Sequence, residues 1–327
     1  MKSTLSILVA ASALAMLTAC GGGGDSSPAA NDVAITSTNQ AAVTRASLNG
    51  GTGVALVAQG PLAGGGTSSP LVAATLVRRA VAAAANQRKV IASLGARPGA
   101  ASTSTEACQV SGTMTVTFDD RDGNGTLSNG DVLTAAFAQC HDSDTSSING
   151  TVAITLTAAP TDTTLDASAS FQNVTAVDGS VSSGISGNVA LHEVDGSTVS
   201  TVQLTVSSGG LAVNVASSTY NDSVSFESGM TFSASDTTDG SQASLSLDGS
   251  FAAASIGGRV TVTTLTPLTT TDTSDYPATG VIKIVGASGS TVLATVLDDT
   301  QVQLQLDANG DGTYESSTVV AWATLLP

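Results

Sequence analysis

The run Thr201-Val202-Gln203-Leu204-Thr205-Val206, followed closely by Leu211-Ala212-Val213-Asn214-Val215, puts an apolar side chain at every second position, with Gln, Thr, Ala or Asn between. Successive side chains of an extended chain point to opposite faces, so such a run makes a strand with one apolar and one polar face. The same period of two recurs through Val152, Ile154 and Leu156, through Leu245 and Leu247, through Val260 and Val262, and through Val302, Leu304 and Leu306. Asp178-Gly179, Asp195-Gly196, Asp239-Gly240 and Asp248-Gly249 stand between the runs and read as tight hairpin turns. Half-wet strands at hairpin spacing assemble antiparallel. About a dozen of them must roll up or pair to cover their apolar face. The expected fold is therefore mainly β, an antiparallel up-and-down barrel or sandwich over residues 105–327. No period is exact enough for a solenoid or a propeller.

Residues 38–98 follow a different pattern and are expected to be helical. Thr38 to Leu48 reads as a short helix closed by Asn49-Gly50-Gly51. Ser69-Pro70 opens a second, with serine as cap and proline in the first turn, and it runs through Leu71, Val72, Leu76, Val77, Val81 and Ile91 to Gly95. Residues 78–97 carry Arg78, Arg79, Arg88, Lys89 and Arg97 and no acid, a basic stretch expected to face solvent or the acidic β part. From residue 98 onward, 24 Asp and Glu oppose Arg121, Arg259 and Lys283, a net of −21. Such an excess repels nucleic acid and anionic lipid, so nucleic acid is not an expected partner. The chain has ten aromatic residues (six Phe, three Tyr, one Trp), too few for the two girdles of a membrane-spanning barrel.

The chemistry concentrates in Asp120-Arg121-Asp122-Gly123-Asn124-Gly125-Thr126-Leu127-Ser128-Asn129-Gly130-Asp131. Oxygen-bearing side chains stand at positions one, three, five, nine and twelve: Asp120, Asp122, Asn124, Ser128 and Asp131. Gly125 at six allows the sharp bend, Thr126 at seven offers its carbonyl, and Leu127 at eight can pin the loop to the core. A hard divalent cation takes six to eight oxygens at about 2.3–2.6 Å, which this alternation supplies, so the expected cofactor is Ca²⁺. The loop resembles those of EF-hand and dockerin modules, with Asp131 in place of their closing glutamate. Met114-Thr115-Val116-Thr117-Phe118 before it alternates as a strand, so the resemblance covers the loop alone and implies a hairpin rather than a helix pair. The apolar positions of the two arms agree only if the hairpin carries a bulge. A second candidate is Asp307-Ala308-Asn309-Gly310-Asp311-Gly312-Thr313-Tyr314-Glu315, with Asp307, Asn309, Asp311, the Thr313 carbonyl and Glu315 as ligands. Its twelfth position, Thr318, lacks a carboxylate, and a plain hairpin turn fits the same residues.

The N-terminus decides location. One basic residue, Lys2, precedes an apolar run from Leu5 to Leu17, too short to cross a bilayer, and the segment ends in Leu17-Thr18-Ala19-Cys20. With Gly21-Gly22-Gly23-Gly24 behind it, this resembles the lipobox of bacterial lipoproteins. The resemblance implies removal of residues 1–19 as a signal peptide and acylation of Cys20. Residues 20–37 would be a lipidated tether, and the bilayer would be a partner through the anchor. Gly21 after the cysteine is similar to the pattern sorted to the outer membrane. Cys108 and Cys140 remain, and in an oxidising compartment an even remainder implies a disulfide worth roughly 3–4 kcal/mol. The whole arrangement resembles a group of proteobacterial lipoproteins to which no activity is attached.

Catalytic patterns are missing. His192-Glu193 has no HExxH frame, no Gly-x-Ser-x-Gly elbow occurs, and Asp298-Asp299 reads as a turn rather than an acid pair. The expectation is a non-enzymatic, calcium-stabilised, lipid-anchored envelope protein with a structural or ligand-binding role toward a protein or glycan. A carbohydrate or envelope-ligand binder ranks second, and a hydrolase third.

Overall fold

The computed structural model describes residues 31–55, 101–179, 181–217, 221–271, 273–274 and 276–326. The signal segment, Cys20, most of the tether and the basic stretch of residues 78–97 lie outside them. An extended segment, Asn31–Ile35, leads into helix α1 (Gln40–Ala55). Fifteen antiparallel strands follow: β1 (Ser102–Ala107), β2 (Ser111–Asp119), β3 (Val132–Ser143), β4 (Ser146–Leu156), β5 (Thr164–Asp178), β6 (Val181–Asp195), β7 (Val199–Ala216), β8 (Asn221–Phe226), β9 (Thr231–Thr237), β10 (Gln242–Ala253), β11 (Gly258–Thr271), β12 (Thr279–Val285), β13 (Thr291–Val296), β14 (Gln301–Asp307) and β15 (Ser316–Ala321). One turn of helix, α2 (Trp322–Leu325), ends the chain.

Among the described residues the strands form one continuous sheet in sequence order, an up-and-down meander with β1 and β15 at its ends. The single departure is instructive. The front half of β7 (Val199–Thr205) pairs with β9 and its back half (Leu211–Ala216) with β8, and β10 divides in the same way on the other side. Thus β8 and β9 occupy one strand position, interrupted at residues 227–230.

The alternation read from the sequence sorts the two faces. Phe118, Leu133, Ile154, Ala169, Val189 and Val206 are successive cross-strand partners from β2 to β7, and each is buried. Leu211, Phe226, Phe251 and Val260 make a second such row, with the Phe226 and Phe232 rings edge to face at 5.1 Å. Full burial of each of these larger side chains contributes about 1.5–3 kcal/mol. Helix α1 lies against this face, meeting β7, β9, β10 and β12–β14, and its Val43, Ala46 and Leu48 are buried. It runs past the stop expected at Asn49-Gly50. The Asn49 amide donates to the Leu325 carbonyl and the Arg45 guanidinium to that of Thr324, so α2 supplies tertiary support that outweighs the low helix propensity of glycine. Trp322 anchors α2: its ring N–H donates to the Pro277 and Asp298 carbonyls, and it stacks on Tyr276.

A second correction concerns Asp248-Gly249. The other three Asp-Gly pairs turn between strands, but this one lies inside β10, at a register break. It belongs to a line of bulges crossing the sheet. Gly150 in β4 sits against Asn173 and Val174 of β5, Gly187 in β6 against Gly210 and Leu211 of β7, and Gly249 against Met230. Register shifts accompany the line in nearly every pair from β2–β3 to β11–β12. A diagonal series of bulges and glycines bends each strand at its own point and so curls a wide sheet around its apolar face.

Candidate metal centre

β2 and β3 form the expected hairpin around the Asp120 loop, with Cys108 and Cys140 joined by a disulfide at its far end. The apolar positions of the two arms pair without a break, Phe118 with Leu133, Val116 with Ala135 and Met114 with Phe137, so they do not need the bulge the sequence suggested. A bulge occurs farther out, where the register shifts between Ser111 and Thr113 and Gln139 takes a left-handed φ of 48°, and it brings Cys140 to the inner face beside Leu133, Ala135 and Phe137.

Within the loop, each early acceptor folds back onto the backbone ahead of it. One Asp120 oxygen accepts Gly123 N–H and the other Gly125 N–H, both at 2.9 Å. Asp122 accepts Asn124 N–H at 3.0 Å, and the Asn124 amide oxygen accepts Thr126 N–H at 2.6 Å. Asp131 closes the loop, accepting Arg121 N–H at 3.0 Å and Ser128 N–H at 2.8 Å. Ser128 also donates its hydroxyl to Asp122 and Asp131. Asp120 and Asp131 are buried, Asp122 is exposed, and Leu127 packs on the core as its position required.

The loop between β14 and β15 repeats this wiring residue for residue through its seventh position. Asp307 accepts Gly310 N–H at 2.7 Å and Gly312 N–H at 2.8 Å, Asn309 accepts Asp311 N–H, and Asp311 accepts Thr313 N–H, both at 2.8 Å. Gly125 and Gly312, the sixth residues, have φ of 80° and 87°, where a side chain is strained. The loops differ in closure. Thr318 lies in β15 opposite Leu304 and does not turn back. Glu315, the ninth residue, closes this loop instead, accepting Ala308 N–H at 2.9 Å. Thr313 N–H and hydroxyl hold the Asp311 carboxyl below its ordinary range.

In each loop one oxygen from each of three carboxylates lies within 4.8 Å of the others: Asp120, Asp122 and Asp131 in the first, Asp307, Asp311 and Glu315 in the second. Oxygens bound to one Ca²⁺ at about 2.4 Å are at most about 4.8 Å apart, so neither set is spread too widely for a single ion. Three carboxylates this close repel one another, and a divalent cation relieves that repulsion.

Elsewhere, His192 and Asp166 are cross-strand partners of β6 and β5, 2.6 Å apart on the outer face, while Glu193 points inward. Asp298 is a turn residue, accepting Thr300 and Gln301 N–H. The buried Asp222, which accepts Ser255 N–H, and the pair Asp32–Arg259 had no signal in the sequence, because their partners are 33 and 227 residues away. Comparison with protein-family models, curated proteins and solved structures finds no match to this chain.

Proposed function

We propose that the protein is a lipid-anchored envelope component, held to the outer membrane by acylated Cys20, whose β body is stabilised by calcium in the Asp120 and Asp307 loops. Its role is structural or ligand-binding rather than catalytic. The observation that carries the metal reading is the recurrence of one hydrogen-bonding scheme in two loops distant in sequence, each gathering three carboxylates within one ion's reach. The anchor rests on the resemblance of Leu17-Thr18-Ala19-Cys20 to a lipobox. Binding to the folded state alone stabilises it by mass action, by about 4 kcal/mol when free calcium is a thousand times the dissociation constant. Calorimetric melting in calcium and in chelator tests the reading. A midpoint higher in calcium by on the order of 10 °C is expected, and an unchanged midpoint refutes it.

A further inference from the structure

The chain enters the fold as a strap. The Asn31 carbonyl accepts Arg259 N–H, Val33 N–H donates to the Arg259 carbonyl, and the Val33 carbonyl accepts Ala287 N–H, at 2.8–2.9 Å. Ile35, fully buried, donates its N–H to the Ser290 hydroxyl at 2.8 Å. Arg259 donates to Asp32 at 2.6 Å and reaches Glu227 at 3.4 Å. A Cβ on Gly258 would lie 2.3 Å from the Asn31 oxygen and one on Gly286 2.1 Å from that of Val33, so the strap fills a slot that only glycine leaves open.

The up-and-down topology fixes which end of the sheet this is. The connections alternate between ends, which puts the Asp120 loop at one and the 3₁₀ turns Ala254–Ile256 and Ala287–Gly289, which flank the strap, at the other. The Asp307 loop shares the strap's end: a Cβ on Gly310 would lie 2.4 Å from the Ser288 oxygen, and Asp307 pairs with Thr291.

We propose that the strap's end, with the Asp307 loop, faces the bilayer and that the Asp120 loop points away from it. This rests on the anchor reading above. Cys20 and Asn31 are eleven residues apart, so the anchor lies at most about 40 Å from the strap. The 18 residues of β7 extend on the order of 60 Å. The anchor therefore reaches the bilayer most directly from the strap's end, and the far end of β7 lies beyond the full length of the tether. The two candidate calcium loops then meet different surroundings, one at the membrane surface and one in open solvent.

The test uses the full-length acylated protein in vesicles that carry an energy-transfer acceptor on the lipid headgroup. Ala254→Cys beside the strap and Ser197→Cys in the β6–β7 connection, both exposed, each take a donor dye. Transfer several-fold stronger from position 254 than from 197 is expected. Equal or reversed transfer, with the acyl chains present by intact mass, overturns the orientation and leaves the anchor standing. An intact mass without acyl chains overturns the anchor reading and this proposal with it.

Discussion

At the scale of single residues, Asp131 and Asp122 separate the two jobs a loop carboxylate can do. Asp131 is buried and satisfies two backbone N–H groups. Removing it strands those donors, so Asp131→Ala is expected to lose about 1–3 kcal/mol in urea titrations run in chelator, and the calcium increment as well. Exposed Asp122 accepts from one backbone amide, with side-chain donors beside it. Asp122→Ala should abolish the calcium increment while lowering metal-free stability by only about 0.5–1 kcal/mol. Equal losses for both variants in chelator contradict this division. The clustering of Asp120, Asp122 and Asp131 was legible because each position follows from its spacing relative to Gly125. Glu315 was among the candidates read for the second loop, but its closing hydrogen bond to the Ala308 N–H was not legible, because the twelve-residue template directs attention to Thr318, which β14–β15 pairing removes from the loop.

At the scale of elements, the line of bulges sets the curvature. Gly187 has φ of 124°, and a Cβ there would meet the Gly210 carbonyl oxygen at 2.3 Å and the Leu211 Cα at 2.8 Å. Gly240, in the turn before β10, also has a positive φ of 71° but open space around it. Gly240→Ala should therefore cost only the backbone term, about 1–2 kcal/mol, whereas Gly187→Ala adds an overpacking cost of about 1–3 kcal/mol. Denaturant midpoints of the two variants measure the difference, and equal shifts would show that the strands close up freely at the crease. Period-two runs made the strands readable, and Asp-Gly pairs marked most of the turns. The crease escaped because a glycine that bends a strand and one that ends it look alike until the neighbouring strand is in place, as Asp248-Gly249 illustrates.

At the scale of the whole molecule, β1 pairs on one side only among the described residues and presents a polar, largely exposed surface. The Cys108–Cys140 bond holds its end to β3 across β2, closing a separation of 32 residues. The double variant Cys108→Ser, Cys140→Ser should lose about 3 kcal/mol, read as a lower melting midpoint that added reductant does not shift further. Sheet class could be inferred from local alternation, and the disulfide from the two cysteines left once Cys20 is set apart. The strap and the contacts of α1 with α2 could not, because they join residues more than 220 positions apart.

That separation dictates an order of assembly. Every strand after the first can zip onto its predecessor, but the slot for Val33 needs Gly258 and Gly286, and Arg45 finds its carbonyl partner only at Thr324. The opening segment therefore stays unseated until the C-terminal third of the sheet has formed. A truncated product therefore leaves its beginning undocked, and protease sensitivity near residue 35 would report an unfinished C-terminus.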